Sequence, residues 1–176
     1  MAALTVWLLT IASVAGAKAN YNFVPISGVN AQTFVYRMDN GGVSQTVAAN
    51  GISIVVESPV YHPELEDREN FPGMETYVSF FGIEGSRQYN GGICFYVDTN
   101  RDCVFALQIV NSGDPELSNI VLLMIMEVLG LNENEATTLI QTQNPVAETW
   151  CQKTGRKIIL ITDQQNEKIT FLASNN

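Results

Sequence analysis

The segment Asp114-Pro115-Glu116-Leu117-Ser118-Asn119-Ile120-Val121-Leu122-Leu123-Met124-Ile125-Met126-Glu127-Val128-Leu129-Gly130 carries its own start, its own stop and a centre with no polar side. Asp114 is an N-cap, Pro115 suits the first helical position, and Glu116 places a carboxylate in the first turn. Gly130 suits the left-handed residue that closes a helix. Between them Ile120 to Met126 is apolar on every face, so this helix must be covered all round. It is too short to cross a bilayer, which takes about 20 apolar residues. The segment is therefore expected to be the central core helix, with a sheet on one side and a second helix or the chain's tail on the other. Glu127 is the one charge near its end, where the helix dipole disfavours a carboxylate and burial would add a desolvation cost. It either faces solvent or points into a cleft.

Working towards the N-terminus, Cys103 to Val110 and Ile93 to Val97 are expected strands, joined by Asp98-Thr99-Asn100-Arg101-Asp102. A Gly-rich turn through Gly82, Gly85, Gly91 and Gly92 leads back to a strand at Thr76 to Phe81. Ser58 to Gly73 has a different texture, with three prolines, the only histidine and the charged run Glu64-Leu65-Glu66-Asp67-Arg68-Glu69; it is expected to be a long surface loop of the binding kind. Ile52 to Glu57 is β-branched and is expected to be a central strand. Gln32 to Met38 alternates as a strand does, Asp39-Asn40-Gly41-Gly42 gives a turn, and Val43 to Ala48 returns as its hairpin partner. Towards the C-terminus, Asn132 caps a second helix from Glu133 to about Gln143, stopped by Pro145. Lys157 to Thr162 and Lys168 to Ala173 form a final hairpin. The fold class is α+β: a mainly antiparallel sheet with two helices packed on one face.

Residues 1–19 carry a short apolar run, Leu4 to Val14, followed by Ala15-Gly16-Ala17 and Ala17-Lys18-Ala19, both of the A-x-A form a signal peptidase reads. The chain is expected to be a signal peptide over 1–19 and a single domain over 20–176, secreted or periplasmic, with no membrane span after cleavage. The 18 acidic and 9 basic residues give a net charge of −9. Such a surface repels nucleic acid, whose phosphates need clustered Lys and Arg, and anionic membrane, and suits solubility outside the cytoplasm or a basic protein partner.

Three cysteines, Cys94, Cys103 and Cys151, imply one disulfide and one leftover thiol in an oxidising place. If Asp98-Thr99 is a two-residue turn, Cys94 and Cys103 stand opposite each other at about 4.5 Å between Cα atoms. A five-residue turn would set Cys94 against Ala106 and leave Cys151 as a partner. The Cys94–Cys103 bond is the favoured one, worth about 2–4 kcal/mol. The same turn, Asp98, Asn100 and Asp102, spaces oxygens as a calcium loop does, but Cys103 stands where an EF-hand needs Gly, and a polar hairpin turn needs the same residues. Calcium is the one cofactor this spacing suggests. His62, Glu64, Glu66, Asp67 and Glu69 are the expected binding residues of the long loop. One imidazole cannot make a zinc site without several acidic partners.

Glu127-Val128-Leu129-Gly130-Leu131, after an apolar strand and an apolar helix, resembles the frame of the zincin metalloproteases, and Leu129-Gly130-Leu131-Asn132-Glu133-Asn134 resembles the helix end of secreted bacterial zincin-like proteins. Aligned on Leu129-Gly130-Leu131, the zinc histidines of that family fall at Leu123 and Glu127 and its catalytic glutamate at Met124. The resemblance thus implies a descendant without ligands or base. No G-x-S-x-G or C-x-x-C is present, and thiol catalysis at Cys151 would need a nearby base. The expected function is an exported, non-enzymatic binding or interaction protein: an inhibitor, immunity protein or envelope accessory subunit. The alternative is a secreted hydrolase with carboxylate chemistry, or an inactive zincin-like relative. A deep pocket with convergent polar groups marks the enzyme, and an exposed apolar patch marks the binder.

Overall fold

A computed structural model of the chain describes residues 21–176 except 87, 88, 112, 113, 142, 143 and 166. The expected leader, residues 1–19, lies outside the described residues. Among the described residues no helix is long and apolar enough to cross a membrane.

The described strands are β1 (Phe23–Val24), β2 (Ile54–Val56), β3 (Val60–Tyr61), β4 (Glu75–Ile83), β5 (Gly91–Asp98), β6 (Cys103–Asn111), β7 (Val146–Cys151), β8 (Arg156–Asp163) and β9 (Lys168–Ser174). They form one sheet in the order β2-β4-β5-β6-β9-β8-β7, with β1 on β9 and β3 on β4. Every pairing is antiparallel. The helices are α1 (Ala31–Asp39), α2 (Gly42–Ala49), α3 (Pro115–Leu129) and α4 (Glu133–Ile140), with a 3-10 turn at Pro63–Leu65. The α+β class with an antiparallel sheet is as the sequence implies.

The sheet buries both faces, unequally. Phe81, Ile93, Phe95 and Leu107 point to the main core, where Phe34 and Met38 of α1 and Val121, Met124 and Ile125 of α3 meet them. On the opposite face Tyr96, Ile159, Ile161 and Leu172 form a smaller cluster, covered by Phe71 from the long loop and by Tyr21 and Phe23. Phe71 stacks on Tyr96 with ring centroids 4.0 Å apart. All four described helices therefore lie on one face, and the loop and the first described strand close part of the other.

α3 starts and stops where its residues say. Asp114 Oδ1 accepts the Leu117 N–H at 3.1 Å, and Gly130 closes the helix at φ 82°. Its cover differs from expectation. The sheet lies on one side, α1 and α2 rather than the second helix or the tail pack on the other, and the cover is not complete, since Leu123 stays 39 % exposed. Residues 32–38 and 43–48, expected as a β-hairpin, are these two helices. The β-branched and aromatic run of Thr33, Phe34, Val35 and Tyr36 favours a strand locally. However, the buried residues of α1 are Ala31, Phe34, Val35 and Met38, spaced i, i+3, i+4, i+7, the stripe of an amphipathic helix. Asn30 caps it, its Oδ1 accepting the Thr33 N–H at 2.9 Å. Burial of that stripe against α3 outweighs the intrinsic strand preference, which spans only about 1 kcal/mol per residue.

Three further placements correct the sequence reading. Ile54–Val56 is an edge strand, not a central one. Val146–Cys151, a segment to which the sequence assigned no element, is the strand at the opposite edge. The expected Cys94–Cys103 disulfide is absent, and all three cysteines are free thiols. Cys103 pairs with Asp98 while Cys94 pairs with Gln108, because the connection is four residues long and a bulge at Tyr96/Val97 shifts the register. Cys94 thus stands four residues along its strand from the position facing Cys103, about 13 Å at strand rise, well beyond disulfide reach.

Candidate functional site

Three places could carry function: the groove where α3 hands over to α4, the turn between β5 and β6, and the sheet edge formed by β2, β3 and β4. The groove is open and shallow, about 550 Å³, lined by Glu127, Gly130, Asn132, Glu135, Gln152 and Lys153 among others. Both of its carboxylates hold backbone. Glu127 Oε1 accepts the Gly42 N–H at 2.8 Å and Oε2 the Val43 N–H at 3.1 Å. Glu127 thus caps α2 from another helix, because Gly41, the N-cap residue, has no side chain to do so. A negative charge at a helix N-terminus is stabilised by the exposed N–H groups and the dipole. That gain answers the unfavourable position Glu127 holds on its own helix. Gly41 is required here by close approach, since a Cβ would lie 2.4 Å from Glu127 Oε2. Glu135 is buried, with 7 % exposure. Its Oε2 accepts the Asn132 N–H at 2.9 Å, while Asn132 Oδ1 accepts the Glu135 N–H at 3.0 Å, completing a capping box. Its Oε1 accepts the Gln152 N–H at 2.9 Å, tying α4 to the end of β7.

Beneath the groove the Cys151 thiol points at the Leu129 and Gly130 carbonyls at 3.7 and 3.6 Å. Sulfur is a weak donor, but these are carbonyls a helix end leaves without partners. Of the positions aligned with the zincin site, Met124 is fully buried in the core, Leu123 is 39 % exposed, and Glu127 is the cap of α2.

The turn between β5 and β6 uses its oxygens locally. Asp98 Oδ1 accepts the Asn100 N–H at 3.0 Å, and Oδ2 lies 3.6 Å from Arg101 Nε. Asp102 adopts φ 48°, a conformation Asp and Asn tolerate. It accepts from Asn30 Nδ2 at 3.1 Å, which joins the turn to the start of α1. Among the described residues no group of three or more His, Cys, Asp and Glu side chains could hold a metal ion. Cys94 is pushed up by burial to about 11, so its thiol stays protonated at neutral pH and is a poor nucleophile.

The long loop is built rather than loose. His62 Nδ1 lies 2.7 Å from Glu64 Oε1, and this hydrogen bond holds the Glu64 carboxyl below its ordinary value. Glu66 accepts from Tyr61 Oη at 2.8 Å and from Arg68 Nε and Nη2 at 3.0 and 2.9 Å. Its carboxyl is lowered first by the Tyr61 bond and then by Arg68. Asp67 Oδ1 accepts the Asn70 N–H at 3.0 Å, which sets Phe71 on Tyr96. Glu69 is exposed. The five residues singled out from sequence thus share one loop, with Glu64 and Glu69 exposed and Glu66 and Asp67 half-buried.

Beside this loop lies a patch that the sequence reading missed. Val55 is 40 % exposed, Val60 58 %, Phe80 44 % and Tyr89 53 %. Val55 pairs with Gly82 and Val60 with Val78. Phe80, midway between Val78 and Gly82, shares their side of the sheet, away from the helices. Phe80 and Tyr89 meet at 5.8 Å between centroids. The Glu57 N–H donates to the Phe80 carbonyl at 2.8 Å, and the Tyr89 hydroxyl donates to the Glu57 carboxylate. The signal for this patch was Phe80-Phe81 itself: consecutive phenylalanines in a strand put one ring on each face.

Asp39 ends α1 beside this edge. Its partial burial pushes the carboxyl from 3.8 up to about 6, against the lowering effect of the Val56 N–H. The folded value lies above the unfolded one, so the fold binds the proton more tightly. Stability is then expected to fall as pH rises from about 4 to about 6, and, because Asp39 is exposed on its solvent side, by about 1 kcal/mol. Urea unfolding at several pH values reads this directly. Asp39→Asn should flatten the profile over that window, and an unchanged slope in the variant would assign it to another group.

No family model matches the chain, and neither a curated protein nor a solved structure matches it.

Proposed function

We propose that this chain is an exported, non-enzymatic interaction protein that docks another protein on the edge formed by β2, β3 and β4 and the adjoining long loop. The observation that carries the reading is the exposed row Val55, Phe80 and Tyr89 with Val60 at its end, on a sheet face the helices leave uncovered. Exposed aromatic and β-branched side chains set among charged groups are what an interface core and rim require. Glu127 and Glu135, the carboxylates of the groove, each serve as a helix cap, and Glu135 also ties α4 to β7, a structural use that weighs against the hydrolase alternative at that groove. An inhibitor, an immunity protein and an accessory subunit of an envelope assembly all fit such a surface.

The test is affinity capture from the native envelope or secreted fraction, comparing the parent with Phe80→Ser and Val60→Ser. One partner should be retained by the parent and weakened tenfold or more in both variants, the effect of removing an interface anchor. A partner held equally by all three proteins would place the interface elsewhere. Turnover of a generic esterase or peptidase substrate by the parent, with no partner retained, would reverse the reading.

A further inference from the structure

Resting on that binding role, we infer that the segment docked at this edge is cationic and lies across the sheet face rather than adding to it as a further strand. Residues 52–90 hold seven of the 18 acidic residues and two of the 9 basic ones, so this one stretch of chain carries −5 of the net −9. Glu57 sits inside the patch, bonded to both Phe80 and Tyr89. Glu84 and the exposed Glu64 and Glu69 lie on the flanking turns. A second copy meeting the same patch would set like charge against like, and anionic membrane or nucleic acid would be repelled for the same reason. A polypeptide carrying Lys or Arg between apolar side chains satisfies both components of the surface. Its apolar groups rest on Val55, Phe80 and Val60, and its cations meet Glu57 and the acidic flanks. The tyrosine ring adds a face for a cation.

Strand addition is disfavoured by the edge itself. A strand docks through unpaired N–H and C=O groups. Between β2 and β3 stands Pro59, which has no N–H to offer. On β2, the N–H groups of Val55 and Glu57 turn inward to β4, and the outward Val56 N–H faces the Asp39 carboxylate. The outward N–H groups of Ile54 and Tyr61 are separated by Pro59 and by the bonded Val56, so the edge offers no continuous run of donors, and the side-chain face is the broader surface left available.

The probe is a short labelled peptide in which lysine alternates with valine and serine, with a counterpart carrying glutamate in place of lysine. The lysine peptide should bind the full chain and shift the amide resonances of Val55, Val60 and Phe80. Its affinity should fall about tenfold or more between low and high salt, as screening shortens the reach of the acidic groups. Phe80→Ser and Glu57→Gln should each weaken it. Val60→Ser is the companion variant should Phe80→Ser disturb the fold, because Val60 is 58 % exposed. Equal binding of the glutamate peptide, binding that ignores these variants, or no binding of either peptide overturns the cationic partner. A captured natural partner whose crosslinks to the patch map to an acidic or neutral segment overturns it too, while leaving the docking role intact. Loss of patch dependence in the capture experiment removes both.

Discussion

Phe81→Ala is expected to lower the free energy of unfolding by about 3–5 kcal/mol, the range for deleting a fully buried phenylalanine, whereas Phe80→Ala, one residue away, should cost under about 1 kcal/mol. Phe81 has no exposure. Its ring lies over Gly91 of the neighbouring strand, so closely that a Cβ there would be 2.3 Å from its Cζ. The glycine leaves room for the ring, and the ring fills what the glycine leaves empty, a pairing that strengthens a strand glycine. Removing the ring opens a cavity against a residue with no side chain to collapse into it. Chemical denaturation of the two variants side by side decides the matter. Equal losses would mean that the two rings are not on opposite faces, and the assignment of Phe80 to the binding surface would go with it.

Glu135→Ala should be the second large effect, about 2–4 kcal/mol. One substitution removes two part-buried, charge-assisted hydrogen bonds, those to the backbone N–H groups of Asn132 and Gln152, and a hydrogen bond to a charged group contributes about 1.5–3 kcal/mol. The capping box at α4 fails at the same time. Glu135→Gln keeps one oxygen but turns an NH2 towards the other donor, so it should recover no more than part of the loss. Amide hydrogen exchange at Gln152 should accelerate in both variants, because this bond is what ties the end of β7 to α4. Slow exchange at Gln152 in Glu135→Ala would show that another group holds it.

What could be read along the chain was what neighbours in sequence settle. The ends of α3 follow from Asp114, Pro115 and Gly130; the start of α4 follows from Asn132 and Glu135; β4, β5, β6 and the β8–β9 hairpin follow from alternation and turn residues. The helical stripe of α1 was also present, at Ala31, Phe34, Val35 and Met38, but the β-branched and aromatic run through the same residues argued for a strand. Local preference could not rank the two. The ranking came from α3, whose uniformly apolar surface needed cover on the side away from the sheet.

The candidate sites divide in the same way. The acidic loop was visible as a charge run, and the charge of residues 52–90 is a property of sequence alone. The Cys94–Cys103 pairing failed because one bulge and a four-residue turn reset the register, and nothing short of the paired strands records that. Glu127 offered solvent or a cleft from sequence; it lines the open groove, but with its oxygens bonded to partners 84 and 85 residues away at the start of α2. The apolar patch needed β2, β3 and β4 side by side before Val55, Val60 and Phe80 could be seen to share a face.

By itself, then, the sequence determined the class of fold, the caps of its two central helices and the concentration of negative charge, since each is fixed by residues within a few positions of one another. Tertiary structure decided which segments cover α3, which strand forms the edge, which carboxylates are occupied and which apolar side chains stay in water. Those outcomes are settled by competition for burial and hydrogen bonds among groups far apart in the chain, and no local preference of about 1 kcal/mol is large enough to fix them.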